Sequence, residues 1–423
     1  MKVRDLHPKL QKRYPNDQGY GIVKGLHPEI SNIWFVVPKA LDRLSPTGIK
    51  IDLLREAHAT LKKLPSIDEL KGRDRLILSL LVRREAVQSS RMEGTFSTID
   101  QVLTPLSEFT NREKSARSSV IAYASVLEKA LEISKKKGSE VFTKKLLREL
   151  HKEMMRWDPH FMGKPGLFRN EIENGVYVRI GGFRFENSIY NPTPPEYIQL
   201  KIAEHLSWLT DQEGLELSRA GMAPGLMVRL ARGHWHFEAI HPFTDGNGRV
   251  GRMLMMLQMV TEGIVPLYLS GFIEANKQNY YLALNKAQSK LDEAPLVNFL
   301  CEAVIESFKE VQKTKQAIFD LENKWQKIGQ FRQKSGAERL LPFILEYPVL
   351  TVKLVQEKLK ISQPAAKRAI DQLQKLKILN ERTGQVRNRL FASEEILELL
   401  ARPFGEPVEL ALARSSQLTI RKR

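Results

Sequence analysis

From Ile51 to about residue 305, apolar residues recur at intervals of three and four and seldom at intervals of two. Leu53, Leu54, Ala57, Leu61 and Leu64 keep that rhythm, and a second run from about Asp74 carries Leu76, Ile77, Leu80, Leu81 and Val87. With 3.6 residues per turn, this spacing gathers the apolar side chains on one face of a helix. Segments 112–137, 143–156, 196–210 and 217–239 repeat it. A chain patterned this way must bury helix against helix, so a mainly α fold is expected. The clearest strand signal in the first 300 residues is Val176-Tyr177-Val178-Arg179-Ile180, then Gly181-Gly182, then Phe183-Arg184-Phe185. It predicts one small β-hairpin.

The 423 residues are 42% hydrophobic and 27% charged, which excludes global disorder. That length suggests about three domains of roughly 150 residues each. A formal charge of +17 points to an anionic partner, nucleotide phosphate or nucleic acid. One cysteine, Cys301, excludes disulfide frameworks and cysteine-based zinc sites. Met1 to Asp17 carries charges throughout and lacks the apolar core of a signal peptide. No apolar run approaches the ~20 residues of a membrane span, so a soluble, cytoplasmic chain with no membrane contact is expected.

Residues 1–50, with Tyr14-Pro15-Asn16-Asp17, His27-Pro28 and Val37-Pro38, are expected to wrap another domain as extended segments. They open an N-terminal region, 1–110, containing a helix at about 74–94. A catalytic domain is expected at 111–305, a polar helical connector at 306–335 and a separate small domain at 336–400. A loose basic tail, 401–423, closes the chain with Arg421-Lys422-Arg423. Within 336–400 the order runs Glu338–Leu345 helix, Val352–Leu359 helix, a turn at Lys360-Ile361-Ser362, Pro364–Lys377 helix and an Glu381–Phe391 hairpin. That is the order of a winged helix-turn-helix. Lys367, Arg368, Lys375 and Lys377 on or after its recognition-like helix, with Arg382, Arg387 and Arg389 on the wing, are candidates for DNA phosphates. Protein binding or simple packing explains the module equally well.

The densest chemistry lies in His241-Pro242-Phe243-Thr244-Asp245-Gly246-Asn247-Gly248-Arg249-Val250-Gly251-Arg252. Pro242 biases His241 away from helix, so the preceding helix should end there with the imidazole projecting from a turn. Gly246 and Gly248 let successive N–H groups curl into an anion nest. A helix expected from about Arg249 directs its positive end at the same spot. Arg249 and Arg252 share a helical face and suit a polyphosphate, and Asp245 offers the hard oxygen that Mg²⁺ takes beside phosphates. Gly246-x-Gly248-x-x-Gly251 formally fits a dinucleotide fingerprint, but no buried strand precedes it. His234 and His236 lie two apart on a helix and face apart, which argues against shared zinc ligation. A tight turn with surface arginines would explain the glycines but not the neighbouring His and Asp.

The segment resembles in full the His-Pro-Phe-x-Asp/Glu-Gly-Asn-Gly-Arg-x-x-Arg pattern of the Fic (filamentation induced by cAMP) family. Gly166-Leu167-Phe168-Arg169, Ile180-Gly181-Gly182, Tyr190-Asn191-Pro192 and Pro194-Pro195 resemble that family's flap, so the likeness spans about 50–305. The fold it implies is a Fic-type helical bundle with a hairpin flap, here followed by the winged-helix module. The activity it implies is transfer of AMP from ATP, with Mg²⁺, to a Ser, Thr or Tyr hydroxyl of a target protein. His241 would be the general base and Asp245 the metal ligand. Asn247 and the N–H groups of Gly246 to Arg249 would stabilise the transferring phosphoryl group, and Arg252 would clamp the γ-phosphate. Gly246, Asn247, Gly248, Arg249, Val250, Gly251 and Arg252 would surround the nucleotide. Phe243 is an apolar anchor, and Asn279 and Tyr280 are candidates for the adenine. Gly248 is intact where a phosphorylating relative has it replaced, which favours adenylyl transfer.

Ser89-Ser90-Arg91-Met92-Glu93-Gly94 ends the helix from Asp74 and resembles the Ser/Thr-x-x-x-Glu-Gly/Asn inhibitory motif of self-braked relatives. By that likeness Glu93, with Ser89 one turn before it, would pair with Arg252 and take the γ-phosphate position. A rival reading is a DNA-binding regulator whose Fic domain senses nucleotide, and a third is a de-AMPylating or bifunctional enzyme. A homodimer is compatible with all three.

Overall fold

The computed structural model describes residues 1–423 apart from 15–17, 67, 71, 105–114, 220–224, 385–388 and 422–423, with the main chain alone at Arg73 and 417–421. Pro15, Asn16, Asp17, Arg387, Lys422 and Arg423 therefore lie outside the described residues, as does the side chain of Arg421.

Ahead of the first long helix, Gly21–Lys24 (β1) and Trp34–Val37 (β2) pair antiparallel, Ile22 opposite Val36. The segments expected merely to wrap thus contain a hairpin. Its signal is the short apolar run Trp34-Phe35-Val36-Val37, and the last three of these side chains are wholly buried. Then come α1 (Ile51–Leu61), α2 (Arg73–Met92), α3 (Ile99–Leu103), α4 (Ala116–Lys137), α5 (Lys144–Met155), α6 (Ile198–Leu209) and α7 (Gln212–Arg219). The centre of the chain is α8 (Leu226–Ile240) and α9 (Asn247–Thr261), followed by α10 (Ser270–Ala275), α11 (Lys277–Lys290) and α12 (Ala294–Gly329). The last part holds α13 (Gly336–Glu346), β3 (Val349–Thr351), α14 (Val352–Leu359), α15 (Gln363–Lys375), β4 (Asn380–Glu381), β5 (Leu390–Ala392), α16 (Glu394–Ala401) and α17 (Val408–Arg421).

These elements form two compact units, one of Met1–Glu69 with Ser125–Glu306, the other of Leu70–Ala124 with Ser307–Arg423. The boundaries fall inside α4 and α12. In the first unit α8 is buried all round, and α9, buried almost throughout, packs along it. Phe237, Ile240, Val250, Met253 and Leu257 are completely inaccessible, and each such side chain contributes about 1.5–3 kcal/mol of transfer free energy. Gly251 permits the crossing: a Cβ there would lie 2.6 Å from Glu238 Oε1 and 3.2 Å from the His234 ring. Helices α1, α6 and α11 flank α8, and α5 flanks α9.

In the second unit, β5 lies between β3 and β4, all antiparallel, with Leu350 opposite Phe391. Helices α13, α14 and α15 pack together beside it. The polar stretch expected as a connector belongs to α12, whose Ile318, Leu321 and Trp325 are buried in this unit. The tail expected to be loose is a helix, α17, seated on α16. Ala411 and Ser415 are buried there, and Arg414 bonds Glu398 at 3.0 Å and Glu406 at 2.7 Å. Helix α2 also belongs here, packed against α3, α13 and α16. Its buried Arg84 donates to Glu310 at 3.0 Å and to the Arg402 carbonyl at 2.9 Å, and Arg402 itself bonds Glu310 at 2.5 Å.

Candidate active site

The site begins where α8 stops. Helix α8 ends at Ile240, and His241 caps it in the left-handed region, φ 51° and ψ 60°. That conformation costs an ordinary residue roughly 1–2 kcal/mol, so neighbours must hold it. The His241 N–H donates to the Phe237 carbonyl at 2.9 Å, and the His241 carbonyl accepts from Arg169 Nε at 2.7 Å. The imidazole remains 20% exposed, with Nδ1 3.7 Å from Oε2 of the buried Glu238.

After the loop, Gly246 adopts φ 77°, and a Cβ there would meet Met155 Sδ at 2.8 Å. Gly248, expected to share in the curl, lies inside α9, which begins at Asn247 rather than near Arg249. The N–H groups of Asn247, Gly248 and Arg249 have no acceptor among the described residues. They form the positive end of α9, a cradle for an anion. Asp245 is exposed beside them, one carboxylate oxygen accepting the Gly246 N–H at 2.6 Å.

Asn247 has a structural job that the sequence did not suggest. Its side chain accepts the Phe243 N–H and donates to the Phe243 carbonyl, both at 2.9 Å. The amide thus closes the loop through one N–H and its oxygen. Arg249 is 1% exposed and paired with Asp158 at 2.8 Å, while its Nε has no partner among the described residues. Arg252 is buried too. Both arginines are thus interior groups rather than surface ones. Val250 and Gly251 serve the α8–α9 contact and offer no side chain to a ligand.

His151, which sequence reading missed, supports the loop from α5. Its ring stacks on Phe243 with centroids 3.9 Å apart and 1° between planes. Nδ1 accepts the Gly166 N–H at 2.8 Å, so Nε2 carries the proton and donates to the Asp245 carbonyl at 3.1 Å. Burial pulls this imidazole down to about 3, helped by the charge of Arg249, so it stays neutral. Nothing in its spacing distinguished His151 from the core residues of α5. Asp158 was equally hidden, on the turn after that helix.

Of the adenine candidates, Asn279 is exposed on α11 but Tyr280 is 1% exposed, its hydroxyl 2.6 Å from His234 Nε2. Tyr280 is therefore a core residue. Burial, then the charge of Arg252, pulls His234 to about 3. Among the described residues no cluster of three metal-ligating side chains occurs.

The expected flap hairpin is not a pair of strands. Segment 176–190 is closed by one antiparallel bridge, Ile180 to Tyr190, with the Ile180 N–H donating at 2.8 Å. Phe183–Phe185 forms no strand: Gly181 and Gly182, at φ 66° and 72°, open an exposed loop in which Phe183 is 91% exposed. The main chain of Tyr177, Val178 and Arg179 makes no main-chain hydrogen bond among the described residues.

In the second unit, Glu93 caps α2, and the Gly94 and Thr95 N–H groups return to the Arg91 and Ser90 carbonyls. This is a Schellman ending with Gly94 at φ 80°. Ser89 is fully buried and Glu93 is half-buried. Further along, Lys367, Arg368, Lys375 and Lys377 are exposed, but Arg382 is held by Glu394 and Asp100 and Arg389 by Glu381. Those two arginines are committed to carboxylates rather than presented to phosphates. No described helix is long and apolar enough to cross a membrane.

Residues 141–259 match the Fic/DOC family and residues 51–132 the Fic/DOC family N-terminal region. This chain carries a Fic/DOC domain. Over 128 residues it is 33% identical to the protein adenylyltransferase fic-1 of Caenorhabditis briggsae, covering 30% of this chain and 23% of that one. Over 160 residues it is 29% identical to the protein adenylyltransferase Fic of Drosophila yakuba, covering 38% of this chain and 27% of that one. The chain thus spans about a quarter of the length of these relatives. A solved structure of Fic-1 from C. elegans aligns at 22% identity and a TM-score of 0.48, covering 63% of this chain and 72% of that one. The Fic/DOC match contains His151, Asp158, Arg169 and the whole 241–252 loop.

Proposed function

We propose that the protein is an adenylyltransferase that moves AMP from ATP to a Ser, Thr or Tyr hydroxyl of a target protein. The observation that carries this reading is the placement of His241, partly exposed at the end of α8, in the same loop as the N–H groups that open α9 and have no acceptor among the described residues. The relatives named protein adenylyltransferase support it.

In this reading His241 takes the proton of the target hydroxyl. The hydroxyl oxygen bonds to the α-phosphorus of ATP, the bond from that phosphorus to the bridging oxygen breaks, and pyrophosphate leaves. The N–H groups of Asn247, Gly248 and Arg249 face the charge that builds on the phosphates, and a preorganised donor of this kind is worth about 10²–10³-fold. Arg249, fixed by Asp158, adds fixed positive charge, and Arg252 serves the terminal phosphate. Asp245, an exposed hard oxygen beside that cradle, fits Mg²⁺ and would hold it. When bound it would neutralise charge on the departing phosphates. The unpaired main chain at 177–179 suits docking of an extended target segment by strand addition.

Glu93, supported by the buried Ser89, is proposed as an inhibitory carboxylate that competes with the γ-phosphate for Arg252. A DNA-binding role has less support, because Arg382 and Arg389 are taken up by carboxylates. The deciding experiment is incubation with labelled ATP and Mg²⁺ followed by intact-mass analysis. An AMP adduct on the protein or an added partner is expected with the native chain and not with His241→Ala.

A further inference from the structure

Arg169 is completely buried, yet among the described residues no carboxylate bonds it. Its guanidinium faces main-chain carbonyls only. Nε donates to His241 at 2.7 Å, Nη1 to Val176 at 2.7 Å, and Nη2 to Thr193 at 2.6 Å and to Ile240 at 3.2 Å. Its own N–H donates to the Pro242 carbonyl at 2.8 Å, and its carbonyl accepts the Val176 N–H at 3.1 Å.

Two of those carbonyls, Ile240 and His241, close α8, where the helix leaves acceptors unpaired and its dipole is negative. The other two, Val176 and Thr193, stand at the two ends of the flap segment. A single rigid, planar group therefore spans the catalytic histidine and both legs of the flap. Burial draws the guanidinium down to about 9, leaving it charged at neutral pH. Lysine, with one nitrogen on a flexible stem, cannot reach all four acceptors that the guanidinium fork holds at once.

We infer that Arg169 is a positioning residue, fixing His241 in its left-handed conformation at a set distance from the flap where the target hydroxyl is presented. This rests on the adenylyltransferase reading, because it assumes that His241 is the base and that the flap docks the target. Arg169 touches neither phosphates nor target, so its loss should leave nucleotide binding intact and slow the transfer.

The test uses the full chain carrying Glu93→Gly, alone and with Arg169→Lys or Arg169→Gln, and reads self-adenylylation by intact mass across ATP concentrations. For Arg169→Lys the transfer rate at saturating ATP is expected to fall about 10–100-fold, since about 1 Å of misplacement costs on the order of 10²-fold. Half-saturating ATP is expected to stay within about 3-fold, the separation of rate from affinity that positioning requires. Hydrogen exchange should quicken in Arg169→Lys at 176–180, at 189–193 and at 239–242 together. A rate within about 2-fold of the parent, an equal loss of ATP affinity, or loosening of only one of these regions would overturn the inference. Loss of fold in both variants would overturn it too, making Arg169 a stability residue only. If the parent transfers no AMP, the adenylyltransferase reading fails, and the exchange pattern alone then decides whether Arg169 joins the loop to the flap.

Discussion

Asp158 and Arg249 form an ion pair of 2.8 Å in which neither side chain is more than 4% exposed. Arg249 stands in the first turn of the helix proposed to cradle phosphate, and Asp158 follows the helix that bears His151. The pair fixes the angle of a guanidinium that would otherwise compete for solvent. Removing one partner of such a pair leaves a buried charge uncompensated, which costs about 3–5 kcal/mol. Asp158→Ala is therefore expected to lower stability by that amount in urea denaturation, and to weaken ATP binding.

His241→Ala should leave the fold in place, because the histidine side chain is partly exposed at the end of α8 and the contacts that hold its left-handed main chain are made by its own N–H and carbonyl. Loss of a general base lowers the rate by about 10²–10⁴-fold. Transfer at saturating ATP is expected to fall within that range while ATP affinity holds. Transfer at the native rate would show that another group takes the proton.

Glu93→Gly is expected to raise AMP transfer, self-modification included, with unchanged circular dichroism. Arg252→Ala should not activate, because it removes the proposed γ-phosphate contact along with any partner of Glu93. A Glu93→Gly protein that is folded and no faster than native would end the brake proposal.

Val178→Pro should impair modification of a target more than ATP binding. The proline removes an N–H that makes no main-chain bond in the protein itself, so the loss would fall on a docked segment. Comparing half-saturating target with half-saturating ATP reads the difference.

Stability should fall on acidification. His151, His205 and His234 are held at about 3, chiefly by burial, against an unfolded value near 6.5. Between those values the unfolded chain binds protons that the native state refuses, so unfolding gains as pH drops. The stabilisation is whole above about pH 6.5 and shrinks toward pH 3, by up to about 1.4 kcal/mol per pH unit for each histidine. His151→Gln should flatten the slope by one such increment in urea denaturation between pH 6.5 and 4.5.

The helical periodicity at α1, α5 and α6 was readable because each of these helices buries one face and leaves the other more open to solvent. Helix α8 was legible only as part of a longer run, since burial on all sides erases an amphipathic pattern. The loop 241–252 announced itself through residue types that have no joint structural reason to be neighbours. Its supports did not: His151 and Asp158 reach the loop across a fold, and no spacing along the chain encodes that approach. The loop-closing bonds of Asn247 were hidden for a related reason: its residue type suits a phosphate or a turn, and only the fold brings the Phe243 main chain within 2.9 Å. The flap was misread because alternation at 176–185 is a local property, whereas its partner, Tyr190, follows a loop opened by two left-handed glycines.

The Arg84–Glu310–Arg402 cluster has a practical consequence for anyone dissecting this chain. Trimming it to residues 1–306 would look like isolation of the Fic/DOC domain. The cut would discard Glu310, Arg402 and the helices on which α2 rests, stripping Arg84 of both these contacts and of the packing that buries it. The segment that ends in Glu93 would lose its foundation. If the proposed brake holds, such a fragment would measure an engine run without its governor.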